Sequence, residues 1–598
     1  MSAAIQTMWT ELIAATLADA GVATCVISPG SRSTPLVTAL VADGRLELPN
    51  IIDERAAAFF ALGVARATGV PAALVCTSGS ATAHYLPALV EASLAGVPLV
   101  VLTADRPPEL QQCGASQTID QVDLYGAFVR EAFDLGAPVG TAIAMRAVRR
   151  KLSQAISLAR GPRPGPVHIN VPLRKPLEPA QPSTDGERAL ARTVASLCHT
   201  PVTAPTPTLV AGDDAIDQLA AAIAAEPRGV VIAGAMPAKF AAAREAVFDL
   251  AIRAGYPLLA EASSQLRFGP RPPQLAAIDQ FDLVLAAPTL AGAPAPRLII
   301  QIGSEPVAAG WMAAQPSLAD VPRYVLADHE WRDPDSSARA VIVGDVASSL
   351  ARITARLSLV ESRTSFAASW SSVDARVGGA VNRALASHPR SEGAVLRAAL
   401  GAAPAHTVVQ IGNSLPIRVV DLVVGGGAPH VVLSQRGAAG IDGLIASAAG
   451  ASRAGKPVLL VLGDVSFAHD LGGLLAARES MTPLAIVVVD NGGGRIFNGL
   501  PIARTNPGAA FDKHFTTAPG IDPAAVALAL GARAVSATSP AAVASAVTAA
   551  LASTGPTVIH APVTATGAQD VRRDALDLLA TSSATTRPSS PHVIAGVS

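Results

Sequence analysis

Continuous apolar runs of four to six residues recur along this chain, and alanine-rich stretches with helical character separate them. A strand that is apolar throughout is covered on both faces, and intervening helices place such strands in parallel sheets. The sequence therefore predicts an α/β fold built from doubly wound parallel sheets. The runs that predict strands are residues 24–28, 72–77, 98–103, 167–171, 229–233, 297–302, 324–327, 407–411, 430–434, 459–462, 484–489 and 558–561.

The runs fall into three groups, which predicts three α/β domains in this chain of 598 residues. Segments rich in Pro, Ser and Thr separate the groups and predict linkers, and a similar segment at the end predicts a disordered tail. The expected divisions are an N-terminal domain over 1–180, a linker over 181–207, a central domain over 208–360, a C-terminal domain over 361–580 and a tail over 581–598.

Composition narrows the classes of partner. A net charge of −1 and an aromatic content of 4% do not favour nucleic acid as a partner. None of the apolar runs approaches the roughly 20 residues that span a bilayer, so we expect no membrane partner. The four cysteines form neither a Cys-x-x-Cys motif nor a disulfide framework, which indicates a reducing compartment, and we expect a cytoplasmic protein.

Polar residues end two neighbouring apolar runs in the C-terminal third. Gly463 and Asp464 close one run, and Asn491 closes the next, followed by glycines at 492–494. Magnesium prefers oxygen ligands and commonly combines protein carboxylates with substrate phosphates. Glycines also allow a backbone to approach phosphates closely. This pattern indicates a divalent cation that carries a diphosphate, although Asp, Asn and Gly also end strands simply because they favour turns.

The 26 residues between Asp464 and Asn491 give this pair the spacing of the thiamin diphosphate motif, which it resembles. The resemblance implies thiamin diphosphate as cofactor and Mg²⁺ or Mn²⁺ as the metal ion. The implied metal ligands are Asp464, Asn491 and Gly493. The residues implied to bind the cofactor are Ser31, Glu54, Thr77, Gly79, Ile441, Gly463, Asp464, Val465, Ser466, Asn491, Gly493, Ile496 and Phe497.

Thiamin chemistry requires a carboxyl group beside the cofactor's pyrimidine ring, in a water-poor site where the pKa of that group can rise. Residues 48–52 predict a short strand that leads into Asp53 and Glu54, and residues 56–66 predict a helix of strong formers. An acidic pair at a helix N-terminus is also common for purely structural reasons. Because the C-terminal motif is present as well, we interpret Glu54 as the catalytic carboxyl group.

Further motifs lie in order in the first and last thirds of the chain. They occupy residues 27–35, 53–55, 77–80, 102–110, 113–120, 412–418, 434–443 and 494–501. Together they resemble the 2-succinyl-5-enolpyruvyl-6-hydroxy-3-cyclohexene-1-carboxylate (SEPHCHC) synthase family, the MenD enzymes of menaquinone biosynthesis. The resemblance covers roughly residues 1–175 and 405–580. It implies three doubly wound domains of the thiamin diphosphate enzyme type, with a pyrimidine-binding N-terminal domain and a diphosphate-binding C-terminal domain.

Members of this family decarboxylate 2-oxoglutarate and add the resulting succinyl carbanion to isochorismate. These substrates carry several carboxylates, which planar guanidinium groups bind in a bidentate manner. By resemblance, Ser414 and Arg418 hold the succinyl carboxylate, whereas Arg32, Gln117 and Arg436 face isochorismate or the intermediate. The implied substrate residues are Ser31, Arg32, Arg106, Gln117, Ser414, Arg418, Arg436, Phe497 and Leu500.

Each of these roles has a structural alternative. Any single arginine could form a surface salt bridge instead, and Ile441, which resembles the residue that props thiamin in its bent form, could simply pack in the core. Two positions also depart from the family pattern. Ala309 stands where a lysine is expected, for which Arg267 could compensate, and Gly492 stands where a second asparagine is common.

The resemblance also implies a homodimer or homotetramer, with active sites between the pyrimidine-binding domain of one chain and the diphosphate-binding domain of another. Two other functions compete with this reading. One is a different thiamin-dependent lyase, such as an acetohydroxyacid synthase-like enzyme, and the other is a non-catalytic relative. His84 is the only histidine before residue 168, which disfavours decarboxylases that use histidines there. The presence of Glu54, Asp464 and Asn491 together disfavours a non-catalytic relative.

Overall fold

A computed structural model of the chain describes residues 2–200, 202–358 and 364–584. These residues form three α/β units, each built around one parallel sheet. The fold class expected from the apolar runs is confirmed. In the described ranges, no helix is both long enough and apolar enough to cross a membrane.

The N-terminal unit has a five-stranded sheet with seven α-helices around it. The strands are β1 (Cys25–Ile27), β2 (Ala72–Cys76), β3 (Leu99–Asp105), β4 (Ala132–Asp134) and β5 (Pro166–Pro172), and the helices are α1 (Ala3–Asp19), α2 (Thr34–Asp43), α3 (Glu54–Thr68), α4 (Ser80–Ala83), α5 (Leu86–Ala95), α6 (Ala142–Arg160) and α7 (Asp185–Cys198). The strand order is β1-β2-β3-β5-β4, and every pair is parallel.

The central unit is a second five-stranded parallel sheet, with the order β10-β9-β8-β6-β7. Its strands are β6 (Gly229–Ala233), β7 (Leu258–Ala260), β8 (Leu298–Ile302), β9 (Arg323–Ala327) and β10 (Ala338–Val343), and its helices are α8 (Asp213–Ala225), α9 (Arg244–Ala254), α10 (Phe281–Ala286), α11 (Ala309–Leu318) and α12 (Val346–Thr354).

The C-terminal unit has a six-stranded parallel sheet with the order β12-β11-β13-β14-β16-β15. Its strands are β11 (Val408–Ile411), β12 (Val431–Ser434), β13 (Val458–Gly463), β14 (Leu484–Asp490), β15 (Arg533–Ser536) and β16 (Pro556–Pro562). Its helices are α13 (Thr364–Ser387), α14 (Glu392–Ala402), α15 (Leu415–Val423), α16 (Leu444–Ala451), α17 (Asp464–His469), α18 (Gly472–Ala476), α19 (Pro501–Thr505), α20 (Ala509–Phe511), α21 (Pro523–Ala529), α22 (Pro540–Leu551) and α23 (Gly567–Ala584).

Every apolar run that predicts a strand contains one, and the four strands without a predicting run, β4, β7, β10 and β15, all lie at sheet edges. An edge strand pairs on one side only and needs less apolar cover. Strands β4, β10 and β15 accordingly contain exposed or half-exposed residues, which a continuous apolar run does not detect. Strand β7 is buried but has only three residues.

Three sequence expectations differ from the structure. Residues 48–52 are extended beside β1 and make only an isolated bridge there, because Pro49 has no N–H group to donate to a ladder. Within the expected linker 181–207, α7 is a capped helix whose apolar face packs on the N-terminal core. In the expected tail, residues 581–584 are the last turn of α23, and the rest of the tail lies outside the described residues.

Helices α3 and α16 join the N-terminal and C-terminal units through contacts that require glycine. A Cβ atom built on Gly63 would lie 1.9 Å from the Ser447 carbonyl oxygen, and one on Gly450 would lie 2.0 Å from the Phe60 carbonyl oxygen. The two backbones therefore touch without intervening side chains. This contact fixes the helix that begins at Glu54 against the C-terminal unit.

Candidate active site

The carboxyl ends of three adjacent strands of the C-terminal sheet form a small cavity of about 40 Å³. Ser414 follows β11, Asp464 follows β13 and Asn491 follows β14, and these strands are neighbours in the sheet. Open parallel sheets bind their ligands at this edge. Ser414 has a φ of +73°, a strained value for a residue with a side chain, and such strain concentrates at functional sites.

Asp464 is buried and lies beside a second carboxyl group. Its Oδ2 atom accepts a hydrogen bond from the Gly493 amide over 2.6 Å. Burial and, to a smaller extent, the negative charge of Asp490 together raise the pKa of the Asp464 carboxyl to about 6. Asp490 in turn bonds to His560 Nε2 over 2.8 Å, which lowers the pKa of Asp490. A buried carboxyl group this close to a half-buried one favours a cation between or beside them.

Asn491 presents an unsatisfied oxygen in the same place. Its Nδ2 atom donates to Glu392 Oε1 over 3.0 Å, which orients the amide. In the described part of the chain, Asn491 Oδ1 and Glu392 Oε2 are buried without a hydrogen-bond partner. Buried polar atoms are normally satisfied, so orphaned oxygens in a cavity that also contains Asp464 fit a bound cation.

The loop after β14 requires glycine for its shape. Gly492 and Gly493 have φ values of +74° and +119°, and a Cβ on Gly493 would lie 2.4 Å from the Thr516 carbonyl oxygen. The Gly493 carbonyl accepts the Arg495 amide over 2.8 Å and keeps a second lone pair for a cation. Glycine at 492, where the family often has asparagine, therefore suits the backbone.

The remaining predicted cofactor residues of this unit lie at the cavity or in the loop beside it, except Ile441, which is half-buried between β12 and α16. Gly463, Val465 and Ser466 line the cavity. Ile496 and Phe497 lie in the helical turn Arg495–Gly499, and the Phe497 ring packs edge-on against Phe515. The side chains of Phe497 and Leu500 are exposed, so these two apolar side chains are available to a ligand or another chain.

Two predicted substrate arginines bond to the residues that follow β11, of which Ser414 lines this cavity. Arg418 Nη1 donates to the Ser414 carbonyl over 2.8 Å, and Arg436 Nη1 donates to Asn413 Oδ1 over 3.3 Å. Burial lowers the pKa of both guanidinium groups, and the nearby Glu261 carboxyl opposes this shift. Half-buried arginines this close to each other suit a multiply charged anionic ligand.

The predicted residues of the N-terminal unit form a second cluster, at the carboxyl ends of β1, β2 and β3. The Arg32 amide donates to Thr77 Oγ1 over 3.2 Å, and its Nη1 donates to the Leu173 carbonyl over 2.7 Å. Burial and the charge of Arg106 lower the pKa of the Arg32 guanidinium. Ser31, beside Arg32, is exposed.

Two loops of this second cluster hold each other. Ser78 Oγ donates to the Gln117 carbonyl over 3.1 Å, and Gln117 Nε2 donates to the Ser78 carbonyl over 3.0 Å. Gly79 has a φ of +90° beside Gln117, and its amide donates to Gln121 Oε1 over 3.0 Å. Arg106 donates to the Ser116 carbonyl. The structure thus unites the loops that carry Thr77, Gly79, Arg106 and Gln117.

Glu54 is the first residue of α3, and Asp53 caps that helix by accepting from the amides of Arg55 and Ala56. Arg55 Nη2 donates to the His469 carbonyl at the end of α17, over 3.4 Å. Glu54 is half-buried. The start of α3 is therefore held against the helix that begins at Asp464 in the same chain.

The structure argues against Arg267 as a substitute for the missing lysine. Arg267 is fully buried, and its guanidinium donates to the carbonyls of Ala260, Asp421 and Val424. These hydrogen bonds hold the guanidinium group at the boundary between the central and C-terminal units. Ala309 begins α11, and the amides of the preceding two residues donate to Glu261.

Three buried carboxyl groups that no sequence motif predicts lie near the predicted residues: Glu91, Glu261 and Glu392. Burial, with a smaller contribution from Asp421, raises the pKa of Glu261 to about 8. Glu392 orients Asn491, and Glu91 bonds to the backbone after Arg436. Each of these carboxyl groups bonds to a residue in a distant part of the chain, so the local spacing of residues cannot predict the contact.

Known proteins resemble this chain in sequence and in fold. The profile described as "Thiamine pyrophosphate enzyme, N-terminal TPP binding domain" matches residues 8–124, and that described as "Thiamine pyrophosphate enzyme, C-terminal TPP binding domain" matches residues 427–561. Two solved structures share the fold. A Mycobacterium smegmatis protein described as a thiamin diphosphate-dependent enzyme has a TM-score of 0.68 at 19% identity, covering 92% of this chain and 98% of its own. Benzoylformate decarboxylase from Polynucleobacter necessarius has a TM-score of 0.69 at 17% identity, covering 94% and 99%.

Curated relatives are more similar in sequence, and three of them are named 2-succinyl-5-enolpyruvyl-6-hydroxy-3-cyclohexene-1-carboxylate synthase. The relative from Sorangium cellulosum is 41% identical and covers 88% of both chains. Those from Geobacillus kaustophilus and Halobacterium salinarum are 40% and 39% identical, covering 84% and 86% of this chain and 85% and 88% of their own.

The fold and the two matched domains define this chain as an enzyme of the thiamin diphosphate-dependent class. Within that class, it belongs to the SEPHCHC synthase family. The resemblance drawn from the sequence motifs is therefore confirmed.

Proposed function

We propose that this protein decarboxylates 2-oxoglutarate and adds the succinyl unit to isochorismate, giving SEPHCHC in menaquinone biosynthesis, with thiamin diphosphate and Mg²⁺ or Mn²⁺. The observation that carries the proposal is the pair of half-buried arginines, Arg418 and Arg436, which bond to Ser414 and Asn413 at the edge of the oxygen-lined cavity at Asp464 and Asn491. A cation and diphosphate site next to two arginines suits a thiamin enzyme whose substrates carry several carboxylates.

The metal ion would be held by the carboxylate of Asp464, the free amide oxygen of Asn491 and the carbonyl of Gly493. The flanking backbone at Gly463, Val465 and Ser466 would receive the diphosphate, and Ile441 would support the cofactor between its two rings. When bound, thiamin diphosphate supplies a nucleophilic carbon and an electron sink for decarboxylation of a 2-oxo acid. In this proposal the Glu54 carboxyl holds a proton at the pyrimidine ring.

Substrate selection is assigned to the arginines and to two polar side chains. Ser414 and Arg418 would bind the distal carboxylate that distinguishes 2-oxoglutarate from shorter 2-oxo acids. Arg436, Arg32 and Gln117, together with Arg106 and Ser31, would bind the carboxylates and hydroxyl group of isochorismate. The exposed Phe497 and Leu500 would exclude water beside them.

The proposed active unit is a homodimer or a dimer of dimers, in which Glu54 of one chain serves the metal site of another. The support for this arrangement is family membership, together with the exposure of Ile52, Phe497 and Leu500 beside the predicted site. A second chain would cover such side chains. The cysteines carry free thiols, which fits action in a reducing compartment such as the cytoplasm.

The decisive experiment incubates pure protein with thiamin diphosphate, Mg²⁺, 2-oxoglutarate and isochorismate, and identifies the product by mass spectrometry. We expect SEPHCHC and carbon dioxide in equal amounts, and little product when pyruvate replaces 2-oxoglutarate. Preferential turnover of pyruvate to an acetohydroxy acid would favour the acetohydroxyacid synthase-like alternative. Cofactor binding without turnover of either 2-oxo acid would reject both functions.

A further inference from the structure

Glu91, on helix α5 of the N-terminal unit, bonds to the backbone of the C-terminal unit directly after Arg436. Its Oε1 atom accepts the Gly437 amide over 3.0 Å, and its Oε2 atom accepts the Ala438 amide over 2.7 Å. Oε1 also pairs with Arg66 Nη2 over 2.8 Å. The Glu91 and Arg66 side chains are only 4% and 8% exposed, so water competes little with these bonds.

Gly437 also packs closely against the backbone of helix α5, which carries Glu91. A Cβ atom on Gly437 would lie 2.6 Å from the Glu91 carbonyl oxygen and 2.8 Å from the Ala95 amide nitrogen. Both are backbone atoms of α5, which cannot move aside as a flexible side chain would. The loop that carries Arg436 is therefore pressed against α5 and also bonded to it.

The opposite side of this loop is fixed within the C-terminal unit. Asn413 Nδ2 donates to the carbonyls of Gln435 and Gly440, each over 2.7 Å, and Asn413 Oδ1 accepts from Arg436. Asn413 directly precedes Ser414. Residues 435–440 are thus held from one side by Asn413, next to the proposed 2-oxo acid pocket, and from the other by Glu91.

We propose that Glu91 is a positioning residue for isochorismate, which acts by holding the backbone at 437–438 so that the Arg436 guanidinium meets a substrate carboxylate. Arg66, which forms an ion pair with Glu91, lies on helix α3, which begins at Glu54. One rigid helix thereby links Glu54, which serves the metal site of another chain in our proposal, to the Arg436 loop of its own chain. The inference rests on the proposed function, since it takes isochorismate as the ligand of Arg436.

The test compares Glu91→Ala with wild type in two assays. Carbon dioxide release from 2-oxoglutarate without isochorismate reports the first half-reaction, and SEPHCHC formation at varied isochorismate reports the second. We expect the KM for isochorismate to rise about 10- to 100-fold, the range expected for a misplacement of about 1 Å, while carbon dioxide release stays within twofold. Gly437→Ala, which pushes the loop away from α5, should give the same pattern.

The matched control is Ser93→Ala on the same helix. Ser93 is buried and accepts from Arg130 Nη1 over 3.0 Å within the N-terminal unit, and in the part of the chain that the structure describes it makes no hydrogen bond to residues 436–438. It should lower the melting temperature without changing the KM for isochorismate. A double variant, Arg66→Met with Glu91→Leu, removes both buried charges and separates loss of positioning from the cost of a stranded arginine.

The outcomes separate the two hypotheses. If wild type makes no SEPHCHC, the proposed function fails regardless of the variants. If wild type makes SEPHCHC but Glu91→Ala and Gly437→Ala leave the KM for isochorismate unchanged, or lower both assays equally while folded, the positioning role is overturned. If Glu91→Ala does not fold, the double variant and Gly437→Ala decide by the same criterion.

Discussion

At the scale of single residues, the amide of Asn491 shows how a distant side chain sets the chemistry of a site. An asparagine amide can present either oxygen or nitrogen, and its partners decide which one faces a ligand. Glu392 accepts from Nδ2, so Oδ1 is left for a cation. Partners of this kind orient metal ligands in many proteins.

We predict that Glu392→Ala weakens Mn²⁺ or Mg²⁺ binding in the presence of thiamin diphosphate by about 10- to 100-fold, the usual cost of losing such a partner. Glu392→Gln retains an acceptor oxygen and should recover most of this affinity. Metal affinity is measured by calorimetry or Mn²⁺ resonance titration. Ser391→Ala, which removes the neighbouring helix cap, is the control. Equal affinity in wild type and Glu392→Ala would show that the amide needs no such partner.

For Glu54, we expect Glu54→Gln to keep its fold and its affinity for thiamin diphosphate. Turnover should fall by about 10²- to 10⁴-fold, because a group that transfers a proton has been neutralised. Steady-state kinetics at saturating cofactor, together with calorimetric cofactor binding, measure both quantities. Near-normal turnover would remove Glu54 from the mechanism.

Arg418→Ala should abolish the preference for 2-oxoglutarate over pyruvate, which has no distal carboxylate to leave unpaired. Loss of a charge-assisted contact to a buried partner typically costs about 2–5 kcal/mol. The ratio of kcat/KM for the two acids measures it. The control is Arg397→Met on helix α14, where the arginine bonds to the Val423 carbonyl; it should affect stability but not this ratio. If Arg418→Ala slows both acids equally, the assignment of the succinyl pocket is wrong.

At the scale of elements, the packing of α3 on α16 couples the N-terminal and C-terminal units of one chain. The contact is close because Gly63 and Gly450 have no side chain where each helix meets the other's backbone. This closeness fixes the first residue of α3, Glu54, relative to the C-terminal sheet. Glycine inside a helix normally costs stability, which close packing here offsets.

Gly63→Ala should therefore destabilise the protein by about 1–3 kcal/mol or more, because the new methyl group overlaps the Ser447 carbonyl. Gly401→Ala is the matched control, since it also lies in a helix but has no atom within 4 Å of the added Cβ. That change should stabilise the protein by up to about 1 kcal/mol through helix propensity. Denaturant or thermal unfolding measures both. A Gly63→Ala protein as stable as Gly401→Ala would contradict the packing.

At the scale of the whole molecule, the predicted residues divide between two units of the chain. The proposed cation site lies in the C-terminal sheet, and Arg32, Arg106 and Gln117 lie in the N-terminal unit. Family membership places such halves on different chains of a dimer in our proposal. Activity then depends on assembly as well as on the fold of one chain.

Subunit exchange tests this directly. We expect Glu54→Gln and Asp464→Ala to be nearly inactive alone, but their mixture to recover about a quarter of wild-type activity after exchange. Half of the dimers would then be mixed, and each mixed dimer would have one of its two sites intact. Activity after mixing and native mass spectrometry measure the result. No recovery despite confirmed mixed dimers would show that both residues serve the same chain's site.

The sequence alone determined the repeating α/β architecture and the identity of the cofactor class. Buried parallel strands must be apolar throughout, so runs such as 459–462 and 484–489 can be recognised as strands from the sequence. The residues that end these strands, Asp464 and Asn491, lie at one sheet edge once the strands are neighbours. Periodicity and motif spacing are local properties, and a sequence records local properties directly.

Only the tertiary structure decided what supports those residues. Glu91 is 346 positions from Gly437, and Glu392 is 99 from Asn491, so no local pattern could pair them. Arg267 has a basic side chain suited to bind substrate, yet the fold buries it among carbonyl groups. Hydrogen bonds between distant segments depend on how whole units pack. The residues next to a carboxyl group in the sequence do not determine which distant group it contacts in the folded chain.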